Sequence, residues 1–554
     1  MSEMKRIRLL ISLAAMLAGF AWAADWATHG DWPHYGGTQG AWRYSALDQI
    51  NRKNVKHLKL AWAFQTGDVE GGLQATPIVV DGVMYVSTSW NDVFAIHAAS
   101  GREIWHYAYA RPKSLSIIYG PWNRGVAVGG DMVYIGTLDN FVVGIDRKTG
   151  QEMWKTNAED STQCGCNITG APLLVKDKVV VGVTGGDSAH RGYITAYDAK
   201  TGRQAWRFWT IPARGEPGNK TWAGDSWKLG GGSSWMTGSY DAALNLIYWG
   251  VGNPAADFYG GNRAGANLYT DCVVALDAGT GKLKWYFQEI PHDVWDFDAA
   301  YENLLVDLPV KGQARKLLIN VNKGGYAFVL DRETGKFVAG WPVVKNLNWI
   351  QGTDEQGNLV GRHEPVPGKA TLICPSIGGG RQWNQAAFSP RTNFYYTTGI
   401  EWCQEVTAGA EEPQEGQSYF GGNFTMKMPP NGEAGGHLGA YDPVTGKQVW
   451  LYQSKYPLMA SVLATAGDLI FCGDPEGMFF ALDARTGEKL WSIETGSGHR
   501  GSAVSYAVNG RQFVATPSGW GSAVAGLFQQ LWPEAEHFRR GSAVFAFTLE
   551  EGEK

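Results

Sequence analysis

Short apolar runs of period two dominate the chain. GDMVYIGT (130–137) and DKVVVGVTG (177–185) place their apolar residues in stretches of four to seven, bounded by Gly and Asp. That is the signature of strands, and it excludes helical solenoids. The runs are joined by one recurring phrase: an apolar strand ending near Asp, a Thr-Gly or Ser-Gly corner, three residues, then usually Trp. It appears as HAASGREIW (97–105), DRKTGQEMW (146–154), DAKTGRQAW (198–206), DAGTGKLKW (277–285), DPVTGKQVW (442–450) and DARTGEKLW (483–491), with the variant DRETGKFVAGWP from Asp331. Glycine permits positive φ at the hairpin corner, and the Trp faces a packed sheet. Repeats about 40 to 55 residues apart suit the four-stranded blades of a propeller, with larger gaps where loops are inserted. The turns plus one degenerate unit favour an all-β, eight-bladed β-propeller, although counting alone leaves seven blades open. The repeated tryptophans are packing residues, so chemistry must come from the irregular segments.

Composition agrees with many short strands and tight turns. The 554 residues include 73 Gly, 25 Trp and 23 Tyr, and only 18% are charged. A net charge of −5 with mixed signs lacks the basic footprint that nucleic acid requires. At the N-terminus, Lys5, Arg6 and Arg8 precede LLISLAAMLAGF, and Ala21-Trp22-Ala23 supplies small residues. This reads as a secretory signal peptide over residues 1–23, followed by one propeller domain over 24–554. No later run is long enough for a bilayer span, so the expected product is exported and not an integral membrane protein. Export permits disulfides among Cys164, Cys166, Cys272, Cys374, Cys403 and Cys472, whose pairing the sequence leaves open. A bridge across Gly165 reads as strained, so Cys164 and Cys166 are expected to pair elsewhere or stay free. They are also cramped for a zinc pair, and no Cys/His cluster at finger spacing follows them. No Cys-x-x-Cys-His haem motif is present.

RYSALDQINRKNVKHLKLAWAFQTGD (43–68), TWAGDSWKLGGGSSW (221–235), GVGNPAADF (250–258), PHDVWDFD (291–298) and PSGWGS (517–522) resemble the quinoprotein alcohol dehydrogenases that use pyrroloquinoline quinone (PQQ). The resemblance covers essentially the whole mature chain, in the family's order. It implies a quinone and a metal ion near the propeller axis, with electrons leaving through a periplasmic cytochrome c.

Asp296 and Asp298 stand two apart, so extended backbone turns both the same way. The resemblance makes Asp296 the catalytic base, removing the alcohol's proton as hydride passes to the quinone. It makes Asp187, Asn253, Asp296 and Asp298 the metal ligands, an all-oxygen set for a hard cation. The second acid, Asp298, points to a lanthanide(III) ion with calcium as the alternative; Asp187, where the family usually has glutamate, weakens that preference. Arg124, Thr169, Thr184, Gly185, Ser233 and Lys323 match cofactor contacts, and Trp235 matches the aromatic floor. Gln382, Trp383 and Trp520 match less defined positions.

Some positions depart from the family. Ile118-Tyr119 stand where calcium-type members have two adjacent cysteines. Gln74 replaces a glutamate that faces the cofactor, and Met459 replaces a tryptophan near the substrate mouth, which predicts a roomier entrance. Cys374 and Cys403 fall at a recurrent family disulfide. Together these imply a primary or secondary alcohol larger than methanol. The oligomeric state stays open, a homodimer included. Two other classes remain at this level: a metal-dependent propeller hydrolase and a noncatalytic propeller scaffold.

Overall fold

The computed structural model describes residues 30–111, 115, 117 and 120–550. The signal-peptide reading and the Ile118-Tyr119 position therefore lie outside the described residues. Eight antiparallel sheets repeat along the chain, seven of four strands and one with a fifth strand added. Among the described residues no helix is long and apolar enough to cross a membrane.

The first blade is typical. Ile78–Val80, Val83–Ser87, Val93–His97 and Glu103–Tyr107 pair in sequence order. The middle strands are almost wholly buried, whereas Glu103–Tyr107 keeps only Trp105 inside. Alternation is thus lost where both faces of a strand meet neighbouring blades and returns at the outer rim.

The repeated phrase is a docking device between blades. The indole of each outer strand lies against the corner glycine of the next blade: Trp62 on Gly101, Trp105 on Gly150, Trp154 on Gly202, Trp206 on Gly281, Trp285 on Gly335, Trp341 on Gly446 and Trp450 on Gly487. Trp62 Nε1 donates to Ala98 O at 3.0 Å, and Trp105 Nε1 to Arg147 O at 3.0 Å, so ring and polar edge are both satisfied. Trp491 has no following glycine corner and packs edge-on to Phe547 at 5.3 Å. Counting docks in this way settles the eight blades that counting turns left open.

The eighth blade closes the ring. Val504–Val508, Arg511–Ser518 and Ala543–Thr548 come from the C-terminal end, and the outermost strand, Lys59–Gln65, comes from the N-terminal end. Two insertions reach over one end of the ring. One is a three-stranded sheet, Thr371–Ile373, Cys403–Ala408 and Gly422–Lys427; the other is the helix Ala525–Leu531.

Candidate active site

Under these insertions lies a cavity of about 320 Å³, built from segments between Gln74 and Leu527. Its floor is acidic. In PHDVWDFD, Asp293 accepts from Trp295 N (2.7 Å) and Phe297 N (2.8 Å), pinning the loop. Trp295 and Phe297 turn into the core, each packed edge-on against Trp349, so Asp296 and Asp298 turn into the cavity. The same-side expectation holds. Asp296 itself has φ 63°, a left-handed conformation that Asp tolerates better than most residues and that marks a constrained position.

Lys323 Nζ lies 2.6 Å from Asp296 Oδ2 and 3.6 Å from Asp298 Oδ2. Asn253 Nδ2 donates to Asp187 Oδ1 at 2.9 Å and to Asp257 Oδ1 at 3.0 Å. Carboxylate oxygens of Asp187, Asp257 and Asp296 all lie within 4.8 Å of one another. Asp298 stands beside this group, its Oδ1 accepting from Asn253 N at 3.3 Å. Burial pushes the Asp296 carboxyl well up, Lys323 opposes this, and Asp187 and Asp298 add to it. Asp298 is raised to about 6, again chiefly by burial. Asn253 Oδ1, Asp257 Oδ2 and Asp296 Oδ1 are buried without any hydrogen-bond partner. Three unpartnered buried oxygens on residues of one tight acidic cluster fit a hard cation. The backbone leaves room for them: a Cβ on Gly186 would stand 2.6 Å from Asn253 Oδ1.

The opposite wall is cationic and aromatic. Arg124 is buried between the faces of Trp235 (4.7 Å) and Trp383 (4.6 Å), and its Nη1 donates to Thr169 Oγ1 at 2.6 Å. Arg500 lies over Trp383 at 5.4 Å. Neither guanidinium forms a salt bridge among the described residues, and each has a buried Nε without a partner. Burial lowers the pKa of Arg124 to about 10 and of Arg500 to about 9, the latter also through repulsion by Arg124. Two buried cations beside indole rings, neither ion-paired among the described residues, fit a flat polycarboxylate.

The family model for the PQQ glucose/ethanol/alcohol dehydrogenase β-propeller domain matches residues 32–348 and 453–514. The chain belongs to this family. It is 36% identical to the quinoprotein alcohol dehydrogenase PedH of Pseudomonas putida KT2440, over 93% of this chain and 90% of PedH. It is 35% identical to the lanthanide-dependent methanol dehydrogenase of Methylacidiphilum fumariolicum, over 91% of this chain and 87% of that one. A solved europium-containing methanol dehydrogenase superposes with a TM-score of 0.89 at 34% identity, covering 94% of this chain and 98% of that one. The protein is thus a PQQ-dependent quinoprotein alcohol dehydrogenase, and its acids form an Asp-rich cluster of the lanthanide type. The hydrolase and scaffold alternatives fall away.

Of the residues expected from sequence, Gln74, Arg124, Thr169, Thr184, Gly185, Asp187, Ser233, Trp235, Asn253, Asp296, Asp298, Lys323, Gln382 and Trp383 all line the cavity of this quinoprotein. Trp520 does not; it packs edge-on to Phe528 (5.3 Å) and Phe538 (5.7 Å) beneath the helix insertion. Met459 is also away from the lining, fully buried in the same aromatic cluster, so it cannot widen the mouth. Ile117, Ile377, Phe420, Phe424, Val524 and Leu527 supply apolar lining instead.

The cysteines bring a second correction. Cys164 and Cys166 are bonded to each other. Gly165 adopts φ 59°, which folds the chain back and sets the two Cα atoms 5.1 Å apart, within ordinary disulfide range. Gly165 itself lines the cavity. Cys374–Cys403 is bonded as the resemblance implied, while Cys272 and Cys472 are free and buried. Sequence reasoning also missed Asp257, Tyr301 and Arg500. Asp257 is the acid of the very block, GVGNPAADF, that supplied Asn253, and Tyr301 follows PHDVWDFD by three residues, whereas Arg500 stands outside every recognised block.

Proposed function

We propose that this quinoprotein is a periplasmic enzyme oxidising primary or secondary alcohols larger than methanol to aldehydes or ketones, with Asp296 as the base and a periplasmic cytochrome c as electron acceptor. When bound, PQQ supplies a two-electron acceptor for the alcohol's hydride, with a metal ion polarising its carbonyl.

The observation that carries this reading is Asp296. Its side chain lines the cavity and its Oδ2 is held by Lys323 at 2.6 Å. The carboxylate is therefore oriented as the base that takes the hydroxyl proton. Lys323 favours the ionised form against burial and also places a positive charge beside the floor, where negative charge develops. Arg124 and Arg500 hold the cofactor's carboxylates, with Trp235 and Trp383 as flat walls. Gln74, Thr169, Thr184, Gly185, Ser233 and Gln382 complete the contacts. Asp187, Asn253 and Asp296 hold the ion, with Asp298 as the further acid that favours a lanthanide over calcium.

The apolar mouth of Phe420, Phe424 and Leu527 suits a substrate with a hydrophobic tail, which it would desolvate on entry. The test is dye-linked oxidation by metal-free protein reconstituted with PQQ and either calcium or a light lanthanide, across short, branched and aromatic alcohols. Highest kcat/KM on the larger alcohols with the lanthanide is expected. Methanol as the best substrate sinks the size assignment, and no oxidation of any alcohol sinks the dehydrogenase assignment.

A further inference from the structure

Asp257 is the one acid of the floor that no matched family position accounts for. It lies four residues after Asn253 and is fully buried. An ordinary loop carboxylate staples backbone N–H groups, as Asp293 does. Asp257 accepts only from Asn253 Nδ2, and its second oxygen has no partner. The same amide group bonds Asp187. One NH₂ thus ties two carboxylates together, and the amide's own Oδ1 is equally unpartnered among the described residues.

The neighbouring cations do not neutralise Asp257. Lys323 is engaged with Asp296 and Asp298, and Arg263 donates to Ala256 O at 2.7 Å and to Asn267 Oδ1 at 2.9 Å. A buried carboxylate facing two others, with no bonded cation, is costly unless an ion joins them. We propose that Asp257 is a direct ligand of the metal ion through Oδ2, opposite Asp187 and Asp296. The inference rests on the metal reading given above and deepens it.

Formal charge gives the proposal a consequence. Asp187, Asp257, Asp296 and Asp298 carry four negative charges and Lys323 one positive, a net of −3 that a trivalent ion cancels. Without Asp257 the net is −2, which a divalent ion cancels. Asp257 then joins Asp298 in tilting the site from calcium to a lanthanide.

The test uses the full-length quinone-loaded protein with europium(III) as the probe, comparing wild type with Asp257→Asn. Emission lifetimes in water and in deuterium oxide count the waters on the ion. Competition titration gives the europium-to-calcium preference. The substitution should admit one or two extra waters, weaken europium binding tenfold or more and narrow the preference for europium by a similar factor. An unchanged water count with affinity within twofold of wild type overturns the proposal. Should the variant misfold, anomalous diffraction from europium-loaded wild-type crystals decides the matter. An Asp257 Oδ2–europium distance of about 2.3–2.6 Å, as for hard cations of calcium's size, supports it, and a distance beyond van der Waals contact overturns it. Alcohol oxidation by the wild type is scored separately, so loss of the dehydrogenase reading and loss of the Asp257 reading are distinct outcomes.

Discussion

Lys323 Nζ and Asp296 Oδ2 are 2.6 Å apart at the floor of the cavity, leaving the other carboxylate oxygen unpartnered. That partner orients the base. Asp296→Asn should therefore lower kcat by about 10²–10⁴, the usual weight of a general base. Quinone absorbance should persist in that variant. Lys323→Met should lower kcat too, and its pH–rate profile should move to higher pH because the cation no longer favours the ionised carboxylate.

Arg124 and Arg500 are buried cations without an ion-pair partner among the described residues. Replacing either by Ala should weaken PQQ reconstitution about tenfold or more, since charge-assisted bonds to a buried anion contribute roughly 1.5–3 kcal/mol each. Equilibrium titration of metal-loaded apoprotein with PQQ measures this. Thermal stability without cofactor should hold or rise as the uncompensated charge is removed.

Gly281 tests the blade-docking device. Its φ is +69°, and an added Cβ would stand 2.5 Å from the Trp206 ring. Gly281→Ala must strain the corner or displace the indole, at about 1–3 kcal/mol. A lower melting temperature is expected, with the quinone spectrum of folded protein unchanged.

Glu289 gives a stability prediction that depends on pH. Burial pushes its pKa well above the ordinary 4.5, opposed by the Asn322 amide. The folded chain therefore keeps a proton that the unfolded chain releases above about 4.5. The stability this group contributes is full below that value and declines as pH rises toward the folded pKa. Glu289→Gln removes the decline. The variant should gain on wild type as pH rises above 4.5, by at most about 1.4 kcal/mol per pH unit and only until the folded pKa is reached, seen as a difference in melting temperature that widens from pH 4.5 upward.

The blades were legible because their grammar is local: nine residues carry the strand end, the corner and the docking Trp. The site was legible as far as its residues stand in recognisable blocks. Arg500, in GSGHRGSAV, meets the cavity only through the ring's long-range closure, whereas Asp257 stands in a recognised block and escaped because no matched family position marks it. The failures at Trp520 and Met459 have one cause. The helix insertion Ala525–Leu531 packs against both, making core of a position read as a cofactor contact and of one read as facing the mouth. Cys164–Cys166 escaped because a left-handed Gly165 solves a distance problem that sequence separation alone makes look prohibitive.

The strand Lys59–Gln65 is made before every blade of the ring but pairs with Ala543–Thr548, more than 400 residues later. The circle is a clasp whose two halves are emitted far apart in time. Gln74, from the first blade, and Leu527, from the last, face the same cavity. Cofactor and ion therefore find their complete socket only once Ala543–Thr548 has been made and paired, which orders ring closure before loading in time.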